Sequence, residues 1–169
     1  MNQLQFIAAT TPFKDKLFRL AKRLLVSTEE AEDATQEVLV KLWCKNEGLN
    51  KFASLEAFAM TITKNYCLDQ LRLKRTTNQR LEHDNYVDQL PAVDKIIEDK
   101  DSLDWVDRVI NHLPDQQRIV IQMRDVEQYE FDEIAQIMDM NETAIRVALL
   151  RARKTIRQNM IKINNYGME

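Results

Sequence analysis

The sequence predicts an all-α fold: two small helical domains joined by an acidic linker, with a helix-turn-helix in the C-terminal domain. Three observations lead there. Only two Gly occur among 169 residues, and Gly supplies the positive φ that tight hairpin turns need. Apolar residues recur at helical spacing over long stretches. Charged residues reach 30%, which suits exposed helix faces. The Gly count also excludes a hairpin-rich sandwich, a Rossmann phosphate loop and a P-loop. An apolar fraction of 44% is too high for a wholly disordered chain.

The first domain, residues 1–75, reads as three helices. Thr11-Pro12 sets up a cap with Pro in the first turn, followed by Phe13, Leu17, Leu20, Leu24 and Leu25 at helical spacing. Ser27-Thr28-Glu29-Glu30 forms a capping box that launches a second helix to about Trp43. Its apolar stripe is Ala31, Ala34, Val38, Leu39 and Leu42. Residues 46–53, with Gly48, read as a loop. Ser54 caps a third helix carrying Phe58, Ile62, Tyr66, Leu68 and Leu71, which ends in Arg72, Lys74 and Arg75.

Residues 76–102 read as a linker, with Pro91, many Asp and Asn, and a short helix around residues 94–98. The second domain, residues 103–169, returns to helical patterning. Leu103 to Asn111 is amphipathic, and Pro114 opens a segment with Ile119, Val120 and Met123. Residues 130–138 form a short helix that Asp139-Met140-Asn141 breaks. Asn141 then caps a helix from Glu142 to about Asn159.

A net charge of −3 argues superficially against nucleic acid, but it is only a sum. Residues 1–75 total +3, residues 76–117 total −6 and residues 118–169 total zero. Residues 142–162 hold Arg146, Arg151, Arg153, Lys154, Arg157 and Lys162 against Glu142 alone. Acidity therefore sits mostly in the linker, between two basic helix ends.

Cys44 and Cys67 form no CxxC, and His83 and His112 lie far apart, so no zinc site or other metal or cofactor site is expected. The thiols read as reduced and cytosolic. No run of about 18 apolar residues marks a membrane span, and the N-terminus lacks a signal-peptide pattern. The His, carboxylate and hydroxyl residues form no catalytic set, so no enzyme is expected.

Three constellations remain. Residues 131–138, a three-residue turn and a capped basic helix have the spacing of a helix-turn-helix, whose second helix enters the major groove by its N-terminal part. Ile145, Leu149 and Ala152 face the core. Arg146 and Arg151 face out, where a guanidinium bonds a guanine edge or a phosphate. A plain helical hairpin with a solvated basic face fits the same pattern. The third helix combines Phe58 and Tyr66 with a polar face and a basic end, the needs of single-stranded nucleic acid. Phe52 in the preceding loop can join them. Placing both rings in the core is the simpler alternative, and a basic C-terminus also complements the helix dipole. On the second helix Asp33, Gln36, Glu37, Lys41 and Trp43 form a mixed patch suited to docking, or else a solvated face beside a core Trp.

Together these segments resemble an extracytoplasmic-function sigma factor of the sigma-70 family. The resemblance rests on Ala31-Glu-Asp-Ala-Thr-Gln-Glu-Val-Leu-Val-Lys-Leu-Trp43 and on Leu55-Glu-Ala-Phe-Ala-Met-Thr-Ile-Thr-Lys-Asn-Tyr-Cys-Leu-Asp-Gln-Leu-Arg72. In the second domain it rests on Leu113-Pro-Asp-Gln-Gln-Arg118, Tyr129-Glu-Phe-Asp-Glu-Ile-Ala135 and Leu150-Arg-Ala-Arg-Lys154. It implies that Asp33, Gln36, Glu37, Lys41 and Trp43 dock on the β′ clamp helices of RNA polymerase core. It implies that Lys51, Phe52, Phe58, Lys64, Asn65, Arg72, Lys74 and Arg75 meet the −10 element, with Asn65 on a flipped base. It assigns Asn141, Thr143, Arg146, Val147, Leu150, Arg151 and Lys154 to the −35 element, with the second domain on the β flap.

The resemblance also implies that promoter opening needs no ATP, capture of an extruded base offsetting the few kcal/mol that unstacking costs, and that the linker threads the polymerase RNA path. An anti-sigma factor is an expected partner, the free chain is expected to be a cytoplasmic monomer, and no fused sensory domain is expected. The family often has Trp where Phe58 stands. Its recognition helix commonly carries Lys/Arg-Ser-Arg, where this chain has Arg146-Val147-Ala148, so readout leans on Arg146, Arg151 and DNA shape. A free-standing helix-turn-helix regulator and a helical adaptor are the alternatives.

Overall fold

The computed structural model describes residues 1–81 and 104–166. The expected linker helix around residues 94–98 lies outside them. Among the described residues there are helices and turns and no strand.

Helix α1 spans Gln3–Leu25, so it begins well before the expected start at Pro12. Asn2 caps it: Asn2 Oδ1 accepts from Gln5 N–H at 2.9 Å, and Gln5 Oε1 accepts from Asn2 N–H at 3.0 Å. Phe6, Thr10, Phe13 and Leu17 are buried at three- and four-residue spacing, which carries one apolar stripe straight past Pro12. That burial outweighs the backbone hydrogen bond Pro12 cannot donate. Pro12 is exposed, so Pro12→Ala restores the missing donor without disturbing the core. It is expected to raise the unfolding free energy by about 2 kcal/mol, read as a higher urea midpoint. A lowered midpoint would contradict this account.

Val26, at φ 65°, ends α1 and turns the chain into α2, Thr28–Cys44. Ser27 Oγ accepts from Glu30 N–H at 3.3 Å. Only this half of the expected capping box is made, and the Glu30 carboxylate pairs instead with Lys74 of α3. Residues Asn46–Lys51, expected as a loop, form a 3-10 turn that buries Leu49. Ser54 Oγ accepts from Ala57 N–H at 3.1 Å and starts α3, Leu55–Leu81. The basic cluster Arg72–Arg75 therefore lies inside α3 and does not end it.

In the second half, α4 is Asp104–Asn111 and α5 is Asp115–Ile121. A single π turn, Gln122–Val126, continues α5. Then come α6, Phe131–Met138, and α7, Glu142–Tyr166. Helix α7 runs beyond the expected end near Asn159.

Helices α1, α2 and α3 pack on one another, and α4, α5 and α6 each pack on α7. The two halves also pack together, α1 on α5 and α3 on α6. One continuous apolar cluster runs from Leu17, Leu24, Leu42 and Met60 into Ile119, Met123, Ile134 and Ile145.

Polar bridges cross the same seam. Arg118 is buried; its Nη1 donates to the Arg23 and Leu24 carbonyls at 3.2 Å each, and Nη2 donates to Asp115 at 2.6 Å. These are terminal carbonyls of α1, which lack helical donors. Arg19 forks onto Glu127 at 2.6 and 2.8 Å. Glu56 of α3 accepts from Lys16 at 2.6 Å and from the Tyr129 hydroxyl. Burial alone pushes the Glu56 carboxyl up, but these two donors outweigh it and hold its pKa below the ordinary value. Burial and the neighbouring Glu56 push the Tyr129 phenol up.

Candidate nucleic-acid interface

The helix-turn-helix is built by local chemistry. Glu130 N–H donates to Glu133 Oε2 at 2.8 Å at the start of α6. Its end has Asp139 in the left-handed region at φ 52°, a conformation Asp tolerates better than most residues. Met140 N–H closes the turn on the Ala135 carbonyl at 3.0 Å, the long-range bond of a Schellman-type end. Asn141 Oδ1 then accepts from Ala144 N–H at 2.8 Å and caps α7.

Burial fixes the rotation of α7. Ile145, Leu149 and Ala152 are buried, as the spacing predicts. Asn141, Thr143, Arg146, Val147, Leu150, Arg151 and Lys154 are all exposed. Thr143, Val147 and Arg151, spaced four residues apart, form one row along a groove of ≈ 590 Å³, whose other wall includes Gln116 and Gln117. Val147 and Leu150 are apolar yet 38% and 67% exposed, so the outward face of α7 offers methyl groups beside the Arg146 and Arg151 guanidinia. Arg146 pairs with Glu142 at 3.5 Å.

The α3 candidates divide into two sets. Phe52 and Phe58 stack at 3.8 Å with their planes 12° apart, and Lys45 lies over the Phe58 ring at 5.8 Å. Phe58 is thus part of a surface stack and not fully core. Phe52 is exposed and, with Trp43, Lys45, Gly48 and Lys51, lines a cleft of ≈ 630 Å³. A methyl added at Gly48 would meet nothing within 4 Å, so this wall is open. Asn65 is exposed, and its seven-residue offset from Phe58 puts both on one face of α3.

Lys64 and Arg75 belong to the second set. Lys64 is buried, with its Nζ donating to the Ile137 carbonyl at 2.9 Å. Burial lowers its pKa and Asp139 opposes that. Its partner is a late carbonyl of α6, a favourable place for a cation. Arg75 donates to both Asp115 oxygens at 3.0 Å. Lys74 pairs with Glu30, and Arg72 with Asp69 at 3.4 Å.

On α2, Asp33, Gln36, Glu37 and Lys41 are exposed. Lys41 lies 3.8 Å from Glu37 and over the Tyr66 ring at 4.8 Å. Trp43 is 40% exposed and meets Phe6 edge-on at 5.1 Å, so it is a held, half-covered ring. Cys44 is exposed, whereas Cys67 is buried and its thiol is pushed up to about 12 by desolvation. Among the described residues no His, Cys, Asp or Glu cluster could hold a metal ion, and no helix is long and apolar enough to cross a membrane.

Sequence reasoning assigned no role to Arg118, Glu56 or Phe131. All three lie in the motifs given above, but apart from Asp115, three residues before Arg118, their partners sit on other elements, where nothing local marks them.

Comparison with known proteins fits this geometry. The sigma-70 region 2 family model matches residues 11–77, and the sigma-70 region 4 model matches residues 103–156; together they span most of the chain. The extracytoplasmic-function (ECF) RNA polymerase sigma factor SigG of Mycobacterium tuberculosis is 27% identical over 89% of this chain. The match takes in 47% of SigG, so the chain spans about half the length of that relative. SigW of Bacillus subtilis is 22% identical, over 88% of this chain and 84% of its own. The ECF sigma-E factor of Escherichia coli K12 is 24% identical, over 92% and 86%. In fold, the chain is similar to the sigma factor RpoE of Bartonella quintana, solved in complex with the anti-sigma factor NepR. That likeness has a TM-score of 0.72 and 22% identity, covering 92% of this chain and 96% of the other. A region 2 match, a region 4 match in the family's order and relatives covering nearly the whole chain give one conclusion: the chain belongs to the sigma-70 family, among the ECF RNA polymerase sigma factors.

Proposed function

We propose that the chain directs RNA polymerase core to a promoter, reading a −35 element with α7 and opening a −10 element with the α3 face. In this reading residues 1–75 serve core docking and the −10 element, residues 76–102 connect, and residues 103–169 read the −35 element. The observation that carries it is the exposure of every −35 candidate on α7 beside a buried Ile145, Leu149 and Ala152. The cleft at Phe52 supports the −10 half: a flat ring and an open wall suit an extruded base. The exposed α2 patch with the half-covered Trp43 suits the β′ clamp helices, and the second domain the β flap. An anti-sigma factor is a proposed antagonist and the cytoplasm the proposed site of action.

The test is run-off transcription with core polymerase on a cognate promoter. Transcripts that start at one site only when the chain is present support the reading. Failure to bind core or support initiation overturns it, and tight dimeric operator binding without core would favour a free-standing regulator. Within this reading Asn65→Ala is expected to relax base preference at one −10 position, because an unpaired base edge loses its partner. Transcription from a panel of −10 variants checks it, and an unchanged preference removes Asn65 from the site.

A further inference from the structure

We infer that Phe131 is a positioning residue for base readout: its ring holds the Arg146 guanidinium at the DNA-facing edge of α7. This rests on the reading above, in which α7 faces the −35 element. An Arg on an exposed helix normally samples many rotamers, and freezing them on a base edge opposes binding. Arg146 is already placed. Its Cζ lies 4.0 Å from the centroid of the Phe131 ring.

The ring itself is anchored. Phe131 is the first residue of α6 and packs partly against the apolar core. A second guanidinium, that of Arg124, stacks on the same ring at 4.5 Å. Arg124 is fixed in turn, since its Nη1 donates to the Tyr129 carbonyl at 2.8 Å and lies 3.4 Å from Glu130. The support therefore runs from the backbone before α6, through Arg124 and Phe131, to Arg146.

Stacking has a chemical advantage over the Glu142 pairing at 3.5 Å. A carboxylate occupies the N–H donors that a guanine O6 and N7 require. An aromatic ring attracts the guanidinium through its flat face and leaves the in-plane N–H edge free. Position 131 therefore sets how well Arg146 discriminates without itself offering a hydrogen bond to DNA.

The experiment uses holoenzyme reconstituted with core polymerase and promoters in which each −35 base pair is replaced in turn. Arg146→Ala identifies the position that Arg146 reads. Phe131→Leu is expected to reduce preference at that same position roughly two- to fivefold, leaving other positions and the salt dependence unchanged. Phe131→Tyr, which keeps the ring, is expected to retain the preference. The double variant is expected to discriminate no worse than Arg146→Ala alone. An equal loss on every −35 sequence, or a Phe131→Leu effect fully additive with Arg146→Ala, overturns the proposal and leaves Phe131 as packing. If Arg146→Ala changes no −35 preference, the assignment of Arg146 itself fails and the proposal falls with it. If Arg146→Ala flattens one position and Phe131→Leu flattens none, only the positioning role fails. Should Phe131→Leu melt below the assay temperature, Phe131→Met replaces it, with the same outcomes on either side.

Discussion

Arg118→Ala is expected to lower the unfolding free energy by about 2–5 kcal/mol, because it leaves two buried carbonyls without a donor at about 1–3 kcal/mol each. Arg118 is 5% exposed and satisfies two carbonyls at the end of α1 together with Asp115 of its own helix. Its removal strands those carbonyls in a seam where little water reaches. Asp115 keeps Arg75 as a partner, so the carbonyl side carries most of the loss. Urea unfolding followed by circular dichroism measures it. Because the lost bonds join the halves, the transition is also expected to broaden or split. Arg118→Lys should recover only part of the loss, since one ammonium cannot reproduce the planar fork. A loss under about 1 kcal/mol with an unsplit transition would class Arg118 with surface pairs.

Arg146→Ala is the largest expected functional effect outside core docking. Loss of a bidentate contact to guanine costs about 1–3 kcal/mol, or roughly five- to 150-fold in use of the matched −35 element. Transcription from matched and mismatched promoters by the holoenzyme checks it. The matched promoter should fall towards the mismatched one while thermal stability changes little, because the side chain is exposed and its contacts with Glu142 and the Phe131 ring lie at the surface. Equal activity on both promoters with and without the substitution would remove Arg146 from the interface.

Local chemistry was the legible part of this fold. The Asn141 cap, the break at Asp139 and the burial of Ile145, Leu149 and Ala152 are readable because each is decided within one helical turn. The errors have equally physical causes. Pro12 resembles a first-turn Pro, yet the Asn2–Gln5 capping box lies further upstream and the stripe Phe6, Thr10, Phe13 passes through it. Arg72, Lys74 and Arg75 look like a helix end, but Arg75 and Lys74 find partners on other elements and α3 continues to Leu81. The π turn at Gln122–Val126 leaves no periodic trace. Of the candidate site, the outward face of α7 was legible from residue type and spacing; the stacking of Phe52 on Phe58 was not, since Phe58 at helical spacing suits a core ring as well as a surface one. The burial of Lys64 was not, because its acceptor lies 73 residues away on the carbonyl of Ile137, and a backbone acceptor has no sequence signature.

Lys64 gives the seam between the halves a thermodynamic meaning. In the proposed −10 reading, a phosphate that takes this ammonium from the Ile137 carbonyl engages only molecules in which that bond has opened. The affinity measured over all molecules is then the intrinsic affinity multiplied by the opened fraction. Each ~1.4 kcal/mol that favours the closed bond makes binding through Lys64 tenfold weaker. Reciprocity runs the other way with the same magnitude: whatever holds Lys64 elsewhere loosens the grip of α3 on α6.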